Sequence, residues 1–221
     1  MNDTIELTEL SARDAFQAAY ENRYTWDESF PGFTADVTLI QGQETYTGKV
    51  FVRADLTVEV TGISDEQVQE SVYTQLRDVI THRKRSSFEK AHSKHEFSFG
   101  EISPDGTREI LVKGDAMGSN YKVRGKEICQ VSRVMGRMAF TINTKSSLDT
   151  GSGYLSAAYS AIFRNPETQE LLNKIDFQDT YEKVGDYYVM AKQVVDSLEK
   201  GQPINTEFHF SNIQLLEKAT A

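Results

Sequence analysis

Apolar and polar positions alternate along most of this chain. Between 33 and 41, Phe33, Ala35, Val37 and Leu39 alternate with Thr34, Asp36 and Thr38. A period of two buries one face of a β-strand and leaves the other in water. Segments 45–53 and 56–61 continue the pattern. From residue 95 onward the same reading gives strands at 95–102, 107–114, 120–125, 127–135, 138–144, 154–164, 175–184, 187–195 and 207–215. Ser103-Pro104-Asp105-Gly106 is a hairpin turn, because proline presets one dihedral and glycine accepts positive φ. All four prolines are read as turn residues, none inside a strand.

Helical spacing is rarer. Ser11-Ala12-Arg13-Asp14 resembles a capping box, and Ala12, Phe16, Ala19 and Tyr20 then fall on one helical face. A second helix begins near Ser64-Asp65-Glu66-Gln67, with Val68, Val72, Leu76, Val79 and Ile80 as a narrow apolar stripe that predicts docking on a sheet. Ser86-Ser87-Phe88-Glu89 is placed to cap a short third helix. The pattern predicts an α+β protein: one large curved antiparallel sheet, an unclosed half-barrel, with helices packed on its concave face. No linker or repeat divides the chain, so residues 1–221 are read as a single domain.

Composition narrows the class. The 38% hydrophobic and 26% charged residues fit a globular domain. The start MNDTIELTEL has neither a basic lead nor an apolar run, so no export signal is expected. No stretch is long and apolar enough for an integral membrane segment. A single cysteine, Cys129, excludes an internal disulfide and fits a reducing, cytoplasmic setting. The net charge of −9 argues against nucleic acid, yet residues 71–140 carry 13 basic against 8 acidic side chains.

That basic excess peaks at Arg83, Lys84 and Arg85. They are the candidate contact for an anion or a partner, including a peripheral contact with an anionic membrane; the plainer alternative is a solvated helix end complementing the dipole. His92 and His95, with Glu89 and Glu96, lack a further ligand at metal spacing, so no metal and no cofactor is expected. The loop 145–153 matches neither a phosphate loop nor a nucleophile elbow and reads as a long hairpin connection. Cys129 reads as a packed thiol. Aromatic residues are the other signal, with 12 Phe, 10 Tyr and 1 Trp. Tyr24, Trp26, Phe30, Phe97, Phe99, Tyr121 and Phe140 are the candidate lining of an apolar ligand site; the plainer alternative is that such rings simply pack a closed core. A pocket of roughly 300–1,000 Å³ with Trp26 beside it is the expectation.

The segments Ala19–Trp26, His82–Glu89, Gly114–Ser119 and Glu127–Arg137 resemble a family of cyanobacterial and plant-plastid proteins to which no activity is assigned. More distantly, the helix before a strand pair and the late segment Phe208-His209-Phe210-Ser211-Asn212-Ile213 resemble the lipoprotein-carrier fold typified by LolA. That resemblance implies an unclosed barrel with helices over its mouth and lipid chains held inside. The reading is therefore a non-catalytic binding or carrier protein for an apolar or amphiphilic small molecule: a lipid, a pigment or an acyl chain. The alternative is a protein-interaction or assembly factor acting at a membrane surface. An enzyme ranks third, because no base, nucleophile and orienting group are legible together.

Overall fold

The computed structural model describes residues 10–114, 119–199 and 201–217. The N-terminal residues 1–9 and the loop positions 115–118 lie outside the described residues. Among the described residues, three helices, α1 (Ala12–Glu21), α2 (Glu66–Thr81) and α3 (Phe88–His92), accompany twelve strands. The strands are β1 (Gly32–Gln41), β2 (Glu44–Arg53), β3 (Val58–Thr61), β4 (Glu96–Ile102), β5 (Arg108–Lys113) and β6 (Asn120–Arg124). They continue with β7 (Glu127–Met135), β8 (Met138–Asp149), β9 (Tyr154–Arg164), β10 (Leu171–Val184), β11 (Tyr187–Glu199) and β12 (Gln202–Leu215). Hydrogen bonding orders them β3-β2-β1-β12-β11-β10-β9-β8-β7-β6-β5-β4. The order begins at β3 and ends at β4, so the antiparallel ladder is open.

Each helix starts where its capping chemistry sits. Ser11 Oγ accepts from Asp14 N at 3.1 Å, Asp65 Oδ1 from Gln67 N and Val68 N at 2.9 and 3.1 Å, and Ser87 Oγ from Lys90 N at 3.3 Å. No described helix is long and apolar enough to cross a membrane.

The described residues pack as two compact units: 10–24 with 86–176, and 25–85 with 177–217. In the first, α1 packs on β4, β6 and β7. Ala12, Ala15 and Ala19 let the helix approach closely, and Phe16 fills the centre at 0% exposure. In the second, β1 presents Phe33, Ala35, Val37 and Leu39 as its buried face, as the alternation predicts. Val52 pairs with Phe33 and Val50 with Ala35, while Phe210 and Phe208 from β12 pair with Val37 and Leu39. Cross-strand apolar pairs of this kind hold antiparallel strands in register. α2 lies along β3 and buries Val72, Leu76 and Ile80, four residues apart on one stripe.

Several readings need correction. β10 begins at Leu171 and not at 175, β11 runs to Glu199 and not 195, and β12 begins at Gln202 and not 207. β8 does not end at Thr144 but runs to Asp149, so most of the loop read at 145–153 is strand. Register shifts at Thr144/Ser146 and Ser146/Ser147 let it continue through residues that break alternation. Pro203 lies inside β12, paired with Leu198 next to the terminal Glu199–Gln202 pair. Ladder pairs alternate between hydrogen-bonded and not, and a proline is tolerated at the latter.

Candidate ligand-binding face

The first unit carries one apolar row across six strands. Phe99 pairs with Ile110, Ile110 with Tyr121, Tyr121 with Val131, Val131 with Ile142, and Ile142 with Ala161. Opposed residues in antiparallel strands share a face, so this row and its neighbours Phe97, Val112, Phe140 and Phe163 form one surface. On the other side of β7 and β8 two successive pairs are polar: Gln130 Nε2 donates to Asn143 Oδ1 at 2.7 Å, and Ser132 meets Thr141 at 3.1 Å.

Helices close only part of the apolar face. The Phe16 ring lies 4.5 Å from Tyr121, 5.2 Å from Phe97 and from His92, and 6.1 Å from Phe88. These rings fill the space over β4 to β7 as a closed core. Farther along, Phe140 and Phe163 sit 6.4 Å apart across β8 and β9 and are half-buried, as is Ile142. Arg133 stands opposite Phe140, is exposed, and donates from Nη2 to Tyr121 Oη at 3.0 Å.

Of the aromatic residues chosen from sequence, Phe97, Phe99, Tyr121 and Phe140 come together on this face. Tyr24 is buried in the same unit, where its N–H donates to Tyr154 O at 2.9 Å. Trp26 and Phe30 belong to the second unit and are packed ring on ring with centroids 3.9 Å apart. The indole Nε1 donates to Tyr188 O at 3.1 Å, and Trp26 is only 5% exposed. It does not line the recess of about 190 Å³ formed in that unit by Val58, Glu59, Val60, Gln69, Glu70 and Tyr73.

The basic segment also divides. Lys84 and Arg85 are exposed, whereas Arg83 is half-buried and donates to Tyr181 Oη at 3.0 Å. Tyr181 donates in turn to Asp179 Oδ2 at 3.0 Å, and Gln193 Nε2 donates to Asp179 Oδ1 at 2.8 Å. Burial pushes the Tyr181 phenol well above its ordinary pKa. Arg83 thus serves a buried polar chain whose members are far apart in sequence, which no local reading could find. Cys129 is half-buried, its Sγ donates to Lys122 O at 3.3 Å, and burial raises its pKa.

His92 has an identifiable structural role. It is 8% exposed among Phe16, Tyr20, Phe88 and Phe97, with its Nδ1 3.0 Å from His95 Nδ1. Burial, then the charges of His95, Arg23, Arg133 and Arg13, lower its pKa to about 4 from 6.5. Folded His92 is therefore neutral where the unfolded residue begins to take a proton. The stability it contributes is complete above pH 6.5 and lost as the pH falls toward 4, by about 2–3 kcal/mol. Denaturant titrations at stepped pH should show this loss in wild type and a flatter profile in His92→Phe. An equally steep profile in the variant would place the sensitivity in other groups.

The fold defines a class, an α+β protein built on an open twelve-stranded antiparallel ladder. The chain belongs to the family described as protein of unknown function DUF3386, whose model matches residues 7–216. No curated protein sequence matches it. Among crystal structures it is similar to a Vibrio parahaemolyticus domain provisionally described as an outer membrane lipoprotein-sorting protein domain. The identity is 12% and the TM-score 0.36, covering 93% of this chain and 94% of that one. A DUF1329 family protein from Desulfovibrio piger gives 10% identity and a TM-score of 0.35, covering 96% and 95%. The Pseudomonas aeruginosa MucA/MucB complex gives 10% and 0.24, covering 95% and 99%.

Proposed function

We propose that this protein is a non-catalytic binder or carrier of an apolar or amphiphilic small molecule, held on the apolar face of the first unit. The observation that carries the reading is the continuation of that face beyond the part packed by α1 and α3. Phe140, Ile142 and Phe163 remain half-buried there, with Arg133 opposite Phe140. Half-buried aromatic and aliphatic side chains lose contact with water when an alkyl chain is laid across them. Removing roughly 250 Å² of apolar surface from water, side chains and alkyl chain together, corresponds to about 6 kcal/mol before ordering costs, a Kd of tens of micromolar at best.

Titration calorimetry with 1-hexadecanol dispersed in a non-binding detergent, and with palmitate, should show saturable binding to the folded protein. Phe140→Ser should weaken it about tenfold without changing the circular dichroism spectrum. Folded wild-type protein that takes up neither ligand would remove the reading. A second reading, an assembly factor touching a membrane surface through Lys84 and Arg85, draws on the exposure of those two side chains.

A further inference from the structure

Eight large hydrophobic side chains stand exposed among the described residues, and five of them gather at one end of the first unit. Met135 and Met138 are the last ladder pair of the β7–β8 hairpin. Ala139 pairs with Arg164 at the end of β9, and the turn into β10 is closed by Asn165 N–H donating to Glu170 O at 3.0 Å. β10 then opens with Leu171 and Leu172. In an antiparallel ladder these two turns lie at the same end, and the turn at 150–153 lies at the other.

The exposures are 50% for Val134, 62% for Met135, 40% for Met138, 51% for Leu171 and 53% for Leu172. Met135 and Met138 share the apolar face, whereas Val134, paired with Ala139, lies on the other. The hairpin end is therefore apolar on both faces. A strand against a core needs one apolar face and a solvated strand needs none. An end that dips among lipid headgroups needs both.

Charge names the lipid. Arg137 stands in the turn between the two methionines, Arg133 two residues behind Met135, and Arg164 opposite Ala139, all exposed. Glu167 and Glu170 in the neighbouring turn leave a net positive end on a chain of net charge −9. Guanidinium groups set just behind an apolar tip can reach phosphate oxygens while the tip enters the acyl boundary.

We infer that this end of the sheet docks peripherally on an anionic lipid bilayer, with the β7–β8 and β9–β10 hairpins as the inserting tips. The inference stands whether or not the apolar face holds a ligand. The test is flotation of the whole protein with vesicles of phosphatidylcholine, with and without phosphatidylglycerol, at low and high salt. Wild type should float with the anionic vesicles and be released by salt. The double variant Met135→Ser, Met138→Ser should lose about tenfold in bound fraction, and Arg137→Gln with Arg164→Gln a comparable factor. All four positions are exposed. Arg164 also closes its own turn, Nη1 donating to Gln169 O at 2.9 Å, so Arg137→Gln alone is the check that a loss is not a loosened turn, with circular dichroism confirming the fold. Lys84→Gln with Arg85→Gln, which would abolish binding under the second reading above, should leave the bound fraction as in wild type. Folded wild type that ignores anionic vesicles, binding that survives loss of the methionines, or a loss that follows Lys84 and Arg85 would each overturn the inference. So would light scattering that shows the tips pairing copies of the chain in solution.

Discussion

Replacing Phe16 with alanine lowers the stability of this protein by about 3–5 kcal/mol, the range for deleting an aromatic side chain from a closed core. Phe16 is fully buried, and its ring meets those of Tyr121, Phe97, His92, Phe88 and Tyr20 at 4.5–6.3 Å. The flanking backbone belongs to a helix capped at Ser11, and the facing backbone to β4 and β6. Neither can move inward to fill the gap without breaking its own hydrogen bonds, so most of the cavity should persist. We propose that residues 1–221 form a single cooperative domain, since β10 contributes to both units. The loss should then appear as a shift of one transition in denaturant, with an unchanged slope. A change below about 1 kcal/mol would mean that the ring cluster is not the tight core described.

Gly153→Ala should be nearly as damaging, at about 2–4 kcal/mol, although only one methyl group is added. Gly153 has φ +121°, and a Cβ there would lie 2.6 Å from Asn22 O and 2.9 Å from Tyr24 N. Both atoms are backbone and engaged: Asn22 O accepts from Tyr154 N and Tyr24 N donates to Tyr154 O, each at 2.9 Å. The added carbon would thus part the chain leaving α1 from the start of β9. Gly151→Ala is the control, because its Cβ would meet nothing within 4 Å and only its φ of +78° opposes the change. Thermal melts should rank Gly153→Ala well below Gly151→Ala. Equal losses would show that conformation alone, without the close approach, sets the cost.

These two positions show what the chain discloses by itself. The helix through Phe16 was legible from Ala12, Phe16, Ala19 and Tyr20 at helical spacing, but its ring partners come from 88, 92, 97 and 121. Glycines at 151 and 153 read as a long connection, whereas the reason for Gly153 is a backbone more than a hundred residues earlier in the chain. Alternation located every strand, because burying one face enforces it. It cut short β10, β11 and β12 and misplaced the end of β8, where bulges carry the ladder through Lys145, Ser146 and Ser147.

The candidate face was half legible for the same reason. Phe97 and Phe99 are two apart on one strand, so their common side followed from period two. That Tyr121 and Phe140 join them depends on register, which the β6–β7 and β7–β8 pairings supply. Trp26 and Phe30 were chosen as aromatic residues near a strand, and sequence does not reveal that the two rings stack on each other. Ile142, Phe163 and Arg133 were missed, although Phe140 and Ile142 show the same two-residue spacing as Phe97 and Phe99. Arg83 could not be assigned locally, since its acceptor Tyr181 lies 98 residues away.

The central claim, a ligand laid on the open part of the apolar face, is tested most directly by a spin-labelled fatty acid. The label on its chain broadens the methyl resonances of residues it lies against. Titrated into protein labelled at isoleucine and methionine methyls, it should broaden Ile142 and Met138 first and leave Ile80, buried on α2, sharp. Unlabelled palmitate should restore the signals. Saturating ligand with Ile142 and Met138 unaffected, or broadening centred on Ile80, would contradict the account.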